Sequence, residues 1–429
     1  MLHILVPELT PRVRYTFAVL TAEWGTPYAL HRADASPVTG PTLHYGPITR
    51  PDAVNLPWQG LLSESAVRPV FAPWQWGTAE TLCLFPQPDA TGFDLAFDLP
   101  AAAFYLLSGY ECYVAEYLDA HGRYDLAAYP SAHWHLDQWP WVARWADLLW
   151  DKLVARFPRL RRASSAPSVQ ITVDIDAPWK HRHKGPLLAW GGVGRALLRG
   201  DRRDLAERLR ALLLGQDPYH TFDHLTALLP PAQTTFFALL ARHSPHDTRY
   251  TWQHGPYRAL LRHLAAQGYA LGIHPSYTSC LCPARIAEEA DRLRQMLGQP
   301  VTRSRQHFLR YRLPDTFRAL LAAGLTDDYS LCRYDRGGFP HGMRRAFPWY
   351  DLLADRATAL TLHPTHLMDR TLQQYLALPP AAAPAYAAQV RQRAQGGTFT
   401  LLLHNDSLSE SGEWRGWRAA IEALVHPLT

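Results

Sequence analysis

Lysine is almost missing from this chain of 429 residues: Lys152, Lys180 and Lys184 are the only ones. The formal charge of +5 is therefore carried almost wholly by arginine. No dense basic tract stands out beyond 159–162, so the electrostatic footprint of a nucleic-acid binder is lacking. Cysteine is scarce as well. Cys83, Cys112, Cys280, Cys282 and Cys332 are odd in number, and no two have the CxxC spacing of a structural zinc site. Thiols in a reducing compartment fit this pattern best. There is no window of about 18 uncharged apolar residues, so no membrane span is expected. The opening MLHILV has no basic region before it and is cut short by Glu8 and Pro11, so it reads as a first strand and not a signal peptide. A cytoplasmic location is the expectation. No glycine-rich phosphate loop opens any strand–helix unit.

What is present is a globular composition, 47% hydrophobic and 19% charged, over a length that favours two domains. The first part reads as strands at 2–6, 28–33 and 42–45, a helix at 11–23, a stretch rich in Pro, Gly, Trp and Asp from 47 to 98, and helices at 101–118 and 140–157. His133 and His135 in SAHWHLD read as ordinary loop or interface residues. The segment RFPRLRRASSAP looks like a linker, which places an α/β domain at 1–165 and a second domain at 166–429.

From there strands and helices alternate. Strands are expected at 170–176, 234–240, 269–274, 304–308, 328–331, 359–362 and 398–404, with helices at 187–214, 256–267, 283–297 and 314–323. Alternation of this kind predicts a parallel α/β architecture, a barrel more than an open sheet. Functional groups should then collect where the strands end.

The stretch QITVDIDAPW carries Asp174 and Asp176 two apart on one strand, so both carboxylates project from the same face. Like charges that close share a proton or hold a cation. The other strand ends supply His274, Arg305, His307, Asp327, Asp328 and His404. Carboxylate with imidazole is the ligand set of zinc or a similar divalent ion. Such an ion with open positions polarises a carbonyl and brings the pKa of bound water to about 7. Blander readings stand beside these. Asp174 and Asp176 could cap a turn, and His404 could cap the following helix. Arg305 could pair with a surface carboxylate. His181 and His183 in KHRHKG read as a solvated loop tip, while His363 and His366 are candidates for a groove lining.

On these residues the second part resembles the polysaccharide deacetylases of the NodB-homology type. The resemblance implies a distorted (β/α) barrel with a metal-dependent deacetylase site. The spaced aspartate pair would make Asp174 the general base and Asp176 a metal ligand. In HPSYTS, His274 matches the metal-binding histidine, but Thr278 stands where a second histidine is usual. RQHF resembles the arginine motif, with Arg305 orienting the base and His307 in place of a proline. DDYS is similar to the aspartate-rich motif, and LLLH ends at His404, the general-acid position. His307, one strand over from His274, is the candidate for the missing ligand; otherwise it is a ring stacked on Phe308. RVRYTF, FYLLSGYECY and HGRYD in the first part are similar to a domain of unknown function found before such barrels.

The function expected is metal-dependent hydrolysis, with zinc the favoured ion, of an N-acetyl or other acyl group on a carbohydrate-type substrate. The alternative is a catalytically lapsed saccharide-binding or assembly protein, with Trp179 and Tyr277 lining its groove. A metal-free glycosidase using Asp174 with Asp176 is poor, because carboxylates two apart on one strand cannot flank a bond at the roughly 5–9 Å required. A cytoplasmic setting would point to a nucleotide-linked, lipid-linked or oligomeric precursor as substrate.

Overall fold

The structure, a computed structural model, describes residues 1–34, 38–69, 74–76, 82–87, 89–134, 136–163 and 166–428. His135 lies outside the described residues, as do parts of the 156–167 linker.

The chain opens with strand β1 (Leu2–Val6), helix α1 (Pro11–Ala22) and strands β2 (Tyr28–Arg32), β3 (Thr42–Gly46) and β4 (Val54–Pro57). Thr10 caps α1 by accepting from the Val13 amide, and Pro11 sits where a missing N–H costs nothing. Short strands β5 (Trp74–Trp76) and β6 (Leu82–Leu84) pair antiparallel. Helices α2 (Leu99–Leu107), α3 (Tyr110–Val114) and α4 (Trp141–Arg156) follow. The single helix expected at 101–118 is broken at Gly109, which takes φ +65°.

In the later part come β7 (Ser168–Ile175), α5 (Pro186–Leu198), α6 (Arg202–Leu213), α7 (Phe222–Leu228) and β8 (Thr234–Ala238). Next are α8 (Gly255–Ala266), β9 (Ala270–Ile273), α9 (Ala284–Leu297), β10 (Arg303–Ser304), α10 (Asp315–Ala322) and β11 (Asp327–Asp328). The chain finishes with β12 (Phe347–Asp351), β13 (Arg356–Leu362), β14 (Leu367–Met368), α11 (Ala383–Arg393), β15 (Thr398–His404) and α12 (Arg418–Val425). The helix expected over 187–214 is also two: Gly200 turns left-handed and Asp201 caps α6 through the amides of Arg203 and Asp204.

Two compact units result. The first comprises Met1–Pro167 with Phe339–Pro364 and Ala394–Gly397; the second comprises Ser168–Gly338, Thr365–Arg393 and Thr398–Thr429. This differs from a contiguous segment over 166–429. The strand expected at 359–362 is observed as β13, whose hairpin with β12 is antiparallel and clusters with the first unit. Its turn residue Asp355 explains why: its Oδ1 accepts from the fully buried Arg12 guanidinium at 2.9 Å and from the Tyr350 hydroxyl at 2.8 Å. The first unit's parallel sheet runs in the order β2-β1-β3-β4.

In the second unit the strands run β11-β10-β9-β8-β7-β15-β14. The pairs with a described register are all parallel. Ile171, Val173, Phe236, Phe237, Leu401 and Leu403 bury its centre. The barrel expectation is met only in part. No continuous ladder among the described residues joins β11 to β14. One isolated bridge, Cys332 to Thr365, and the bond from the Thr365 amide to the Leu331 carbonyl span that seam. The strand expected over 304–308 stops at Ser304, because Phe308 and Leu309 take left-handed backbone angles and turn the chain.

Candidate metal-dependent active site

Parallel pairing puts every strand's C-terminal end on one side of the sheet. Asp174 lies directly opposite His404 in the β7–β15 register, and Asp176 follows at the strand's exit. His274 is the first residue past β9, and His307 lies in the turn after β10. Residues distant in sequence therefore meet at one mouth.

Their hydrogen bonds fix their roles. His274 Nδ1 lies 2.6 Å from the Arg305 carbonyl, which can only accept, so Nδ1 carries the proton. The Nε2 lone pair is left facing Asp176 Oδ1 at 3.3 Å and Asp174 Oδ2 at 3.7 Å. His307 is held in the same manner: its Nδ1 bonds Asp247 Oδ1 at 3.0 Å, and its Nε2 points to Asp176 Oδ1 at 3.8 Å. The rings of His274 and His307 stand edge to face with centroids 4.9 Å apart. One ligand atom from each of Asp176, His274 and His307 lies within 4.8 Å of the other two. Asp176 Oδ1 is buried and accepts no hydrogen bond, although a third of the side chain (33%) is exposed. An anionic oxygen and two lone pairs converging without a donor between them ask for a cation. The donor set suits a divalent ion of zinc type.

Charge is otherwise balanced within the protein. Arg305 is fully buried and satisfied. Its Nε donates to the Tyr329 carbonyl, Nη1 to Thr172 Oγ1 and Asp174 Oδ1 (2.7 and 3.0 Å), and Nη2 to Thr365 Oγ1. Asp174 is thus clamped by a guanidinium rather than by solvent. Burial pushes the Asp176 carboxyl up, but the neighbouring imidazoles, His274 first and then His307 and His404, outweigh it and hold the group well below the usual range. Burial likewise opposes protonation of His274, and the charges of Asp174 and Asp176 reverse the balance and raise its pKa.

Three comparisons place the chain among known proteins. Residues 2–158 match the model of a family of unknown function, DUF7033. No curated protein matches the chain. Among crystal structures, a protein from Mycobacterium smegmatis described as a polysaccharide deacetylase is 16% identical with a TM-score of 0.39, the match covering 62% of this chain and 84% of that one. One from Bordetella bronchiseptica, described as a polysaccharide deacetylase involved in O-antigen biosynthesis, is 16% identical with a TM-score of 0.34, covering 61% and 90%. The polysaccharide deacetylase Bc1974 from Bacillus cereus is 13% identical with a TM-score of 0.29, covering 60% and 85%. The chain is similar to polysaccharide deacetylases. The likeness is remote, and the side-chain geometry carries the functional reading.

Across the mouth stands His404. Its Nδ1 donates to Asp369 Oδ1 at 2.7 Å, its amide donates to Asp369 Oδ2, and its Nε2 faces Asp176 Oδ2 at 3.9 Å. Burial works against its protonation, but the buried Asp369 carboxylate more than compensates and lifts the pKa to about 9. His404 is therefore an imidazolium at neutral pH, with a proton to give.

Asp247 and Asp369 escaped the sequence reading. Asp369 closes LHPTHLMD, just past β14, so its strand-end position was a usable signal that the histidines of that segment drew away. Asp247 lies in the loop after β8, and nothing local marks it. Of the remaining candidates, Asp328 is structural, accepting from Ser304, Ser330 and the Ser330 amide. His366 is buried, accepts from the Thr400 amide and stacks on Phe399. His363 belongs to the first unit. His181 is no solvated tip: it is buried, and its Nε2 lies 2.8 Å from Glu207. Trp179, expected at a groove, is buried among His183, His220, Tyr250 and His254 because the loop after β7 folds over it. Tyr277 stacks on His246 at 4.1 Å with the Arg310 guanidinium over its ring at 3.8 Å, and its amide donates to Asp247. Thr278 accepts from Arg285 and takes no part in the cluster.

No helix among the described residues is long and apolar enough to cross a membrane. The five cysteines form no disulfide.

Proposed function

We propose that this protein is a metal-dependent hydrolase that removes an N-acyl group, acetyl in the simplest case, from an amino sugar. The observation that carries this reading is the convergence of Asp176, His274 and His307, each histidine tethered through Nδ1, between a guanidinium-clamped aspartate and an imidazolium. We also assign the parallel series of the second unit to a distorted barrel of NodB type, with the Cys332–Thr365 bridge marking its seam.

A divalent ion held by Asp176, His274 and His307, zinc by its donors, would polarise the acyl carbonyl and ease ionisation of water. The side chains do the rest. Asp174, aimed by Arg305, takes the proton of the attacking water. His404 gives its Nε2 proton to the departing amine and returns to neutrality, while Asp369 keeps the ring aimed. His307 stands in for the histidine that Thr278 replaces. The test is metal content by plasma mass spectrometry together with release of acetate from N-acetylated amino-sugar oligomers. Wild type should bind one ion and turn over. Asp176→Ala should lose both, and Asp174→Asn should keep the ion and lose turnover. Stoichiometric metal without turnover on any acylated sugar would favour a binding protein instead.

A further inference from the structure

A cavity of about 920 Å³ opens in the second unit, walled by α6, the 215–224 segment and the turn that follows β15. Leu408 and Ser409, four and five residues beyond His404, form part of its lining. The Thr221 hydroxyl, also lining it, bonds the carbonyl of Asn405, the residue next to His404. The cavity thus lies against the chain segment that carries His404, and its volume is that of an ordinary small-ligand pocket.

Four of its guanidinium groups are unpaired among the described residues. Arg202, Arg203 and Arg210 enter from α6 and Arg415 from the opposite side, and no described group pairs with any of these four guanidinium groups. The carboxylates nearby are engaged elsewhere. Glu207 accepts from Lys180, His181 and Ser411, and Asp217 from the amides of Lys180, His181, Arg182 and Tyr219. Glu410 takes the amides of Gly416 and Arg418. The four lining carboxylates, Asp223 included, keep their charge, but none of them pairs with these four guanidinium groups. The same bookkeeping removes a second metal site at His181, Asp204 and Glu207, since Lys180 already neutralises Glu207 at 2.7 Å.

We infer that this cavity binds the phosphate or diphosphate group of the substrate. The inference rests on the deacylase reading and deepens it: the acyl amino sugar would be presented as a phosphoryl ester. Guanidinium forks match phosphate oxygens two at a time, and several together hold a dianion or trianion. A neutral glycan would leave these cations without a partner.

The test is calorimetric titration of metal-free protein with inorganic pyrophosphate and, separately, with a nucleoside diphosphate. Three proteins are compared: wild type, Asp176→Ala, and the triple variant Arg203→Gln, Arg210→Gln, Arg415→Gln. Wild type and Asp176→Ala should bind pyrophosphate equally, and the triple variant at least about tenfold more weakly. Its melting temperature should be unchanged, because the replaced side chains are exposed and unpartnered. Should it fail to fold, the triple Arg→Lys variant replaces it and should bind more weakly than wild type. A nucleoside diphosphate bound about tenfold more tightly than pyrophosphate supports a nucleotide-linked sugar. Equal affinity supports a diphosphate carried by a lipid or by the sugar itself. No binding by wild type, undiminished binding by the triple variant, or loss of binding in Asp176→Ala would each overturn the inference. Metal uptake, measured on the same samples, reports on the deacylase reading separately.

Discussion

Replacing Asp247 by asparagine is the most informative single perturbation of the metal cluster, because it changes a charge without touching any ligand. Asp247 Oδ1 accepts from His307 Nδ1 at 3.0 Å and from the Tyr277 amide at 2.9 Å, and Oδ2 accepts from Ser244 Oγ at 2.7 Å. The side chain is almost wholly buried. Burial raises its pKa, but the His307 hydrogen bond and the Tyr277 amide outweigh this and hold the carboxyl below the usual range, so it is an anion at neutral pH. That anion fixes the His307 tautomer with Nε2 free and holds the ring in its orientation. Asparagine keeps the shape and one acceptor but removes the charge. Carboxylates behind metal-bound histidines are worth about 10–100-fold in affinity, or about 1.4–2.7 kcal/mol. Competition with a chromogenic chelator at pH 7.5 should therefore show zinc bound about 10–100-fold more weakly by Asp247→Asn. His307→Ala, which deletes the donor itself, should lose at least as much. An Asp247→Asn dissociation constant within about threefold of wild type would refute the role of His307 as the third ligand.

Other expectations follow from the same geometry. Asp369→Asn removes the main charge that raises His404 to about 9. The acid must be protonated to act, so activity falls as pH rises through that value. In the variant this alkaline limb should move downward by about one to two units, read from a kcat profile between pH 6 and 10. Gly272→Ala should destabilise the second unit by about 1–3 kcal/mol in urea unfolding, because its Cβ would lie 2.5 Å from the Phe237 ring and 2.8 Å from the Arg303 carbonyl. In the first unit Asp98 is buried, and desolvation lifts its carboxyl from 3.8 to about 7 against the hydrogen bonds from Ala101, Gln59 and Tyr45. The folded state then holds a proton that the unfolded chain releases, so the contribution of Asp98 to stability should be greatest at acid pH, fall between about pH 4 and 7 and level off above. Asp98→Asn should flatten that slope in chemical denaturation, and an unchanged slope would refute the assignment.

The parallel series was legible because buried parallel strands write themselves as short apolar runs. ITVDI, TTFFA and TFTLLLH sit within a residue or two of the strands observed. Asp174, Asp176, His274 and His404 could be found for the same reason, since each lies at the exit of such a run. Pairing across distance was not legible. The contact that ties the 347–362 hairpin to the first helix has Arg12 meeting Asp355 from 343 residues away, which no local pattern encodes. Trp179 carried an aromatic signature equally suited to a groove and to a core, and only the fold of the loop over it decides. Asp247 lacked any strand-end mark, although the tautomer of His307 depends on it.

Phe308 and Leu309, at φ +59° and +57°, are two branched or bulky residues in succession where glycine would sit without strain. Each such residue costs about 1–3 kcal/mol, and the contacts of Phe308 with His307, Tyr277 and His246 hold the turn in place. Stability and activity should therefore trade against each other at this turn. Glycine at 308 would relax the backbone while freeing the His307 ring from the wall that steadies it. A library selected for thermal resistance alone should accept that exchange, whereas one selected for turnover should reject it.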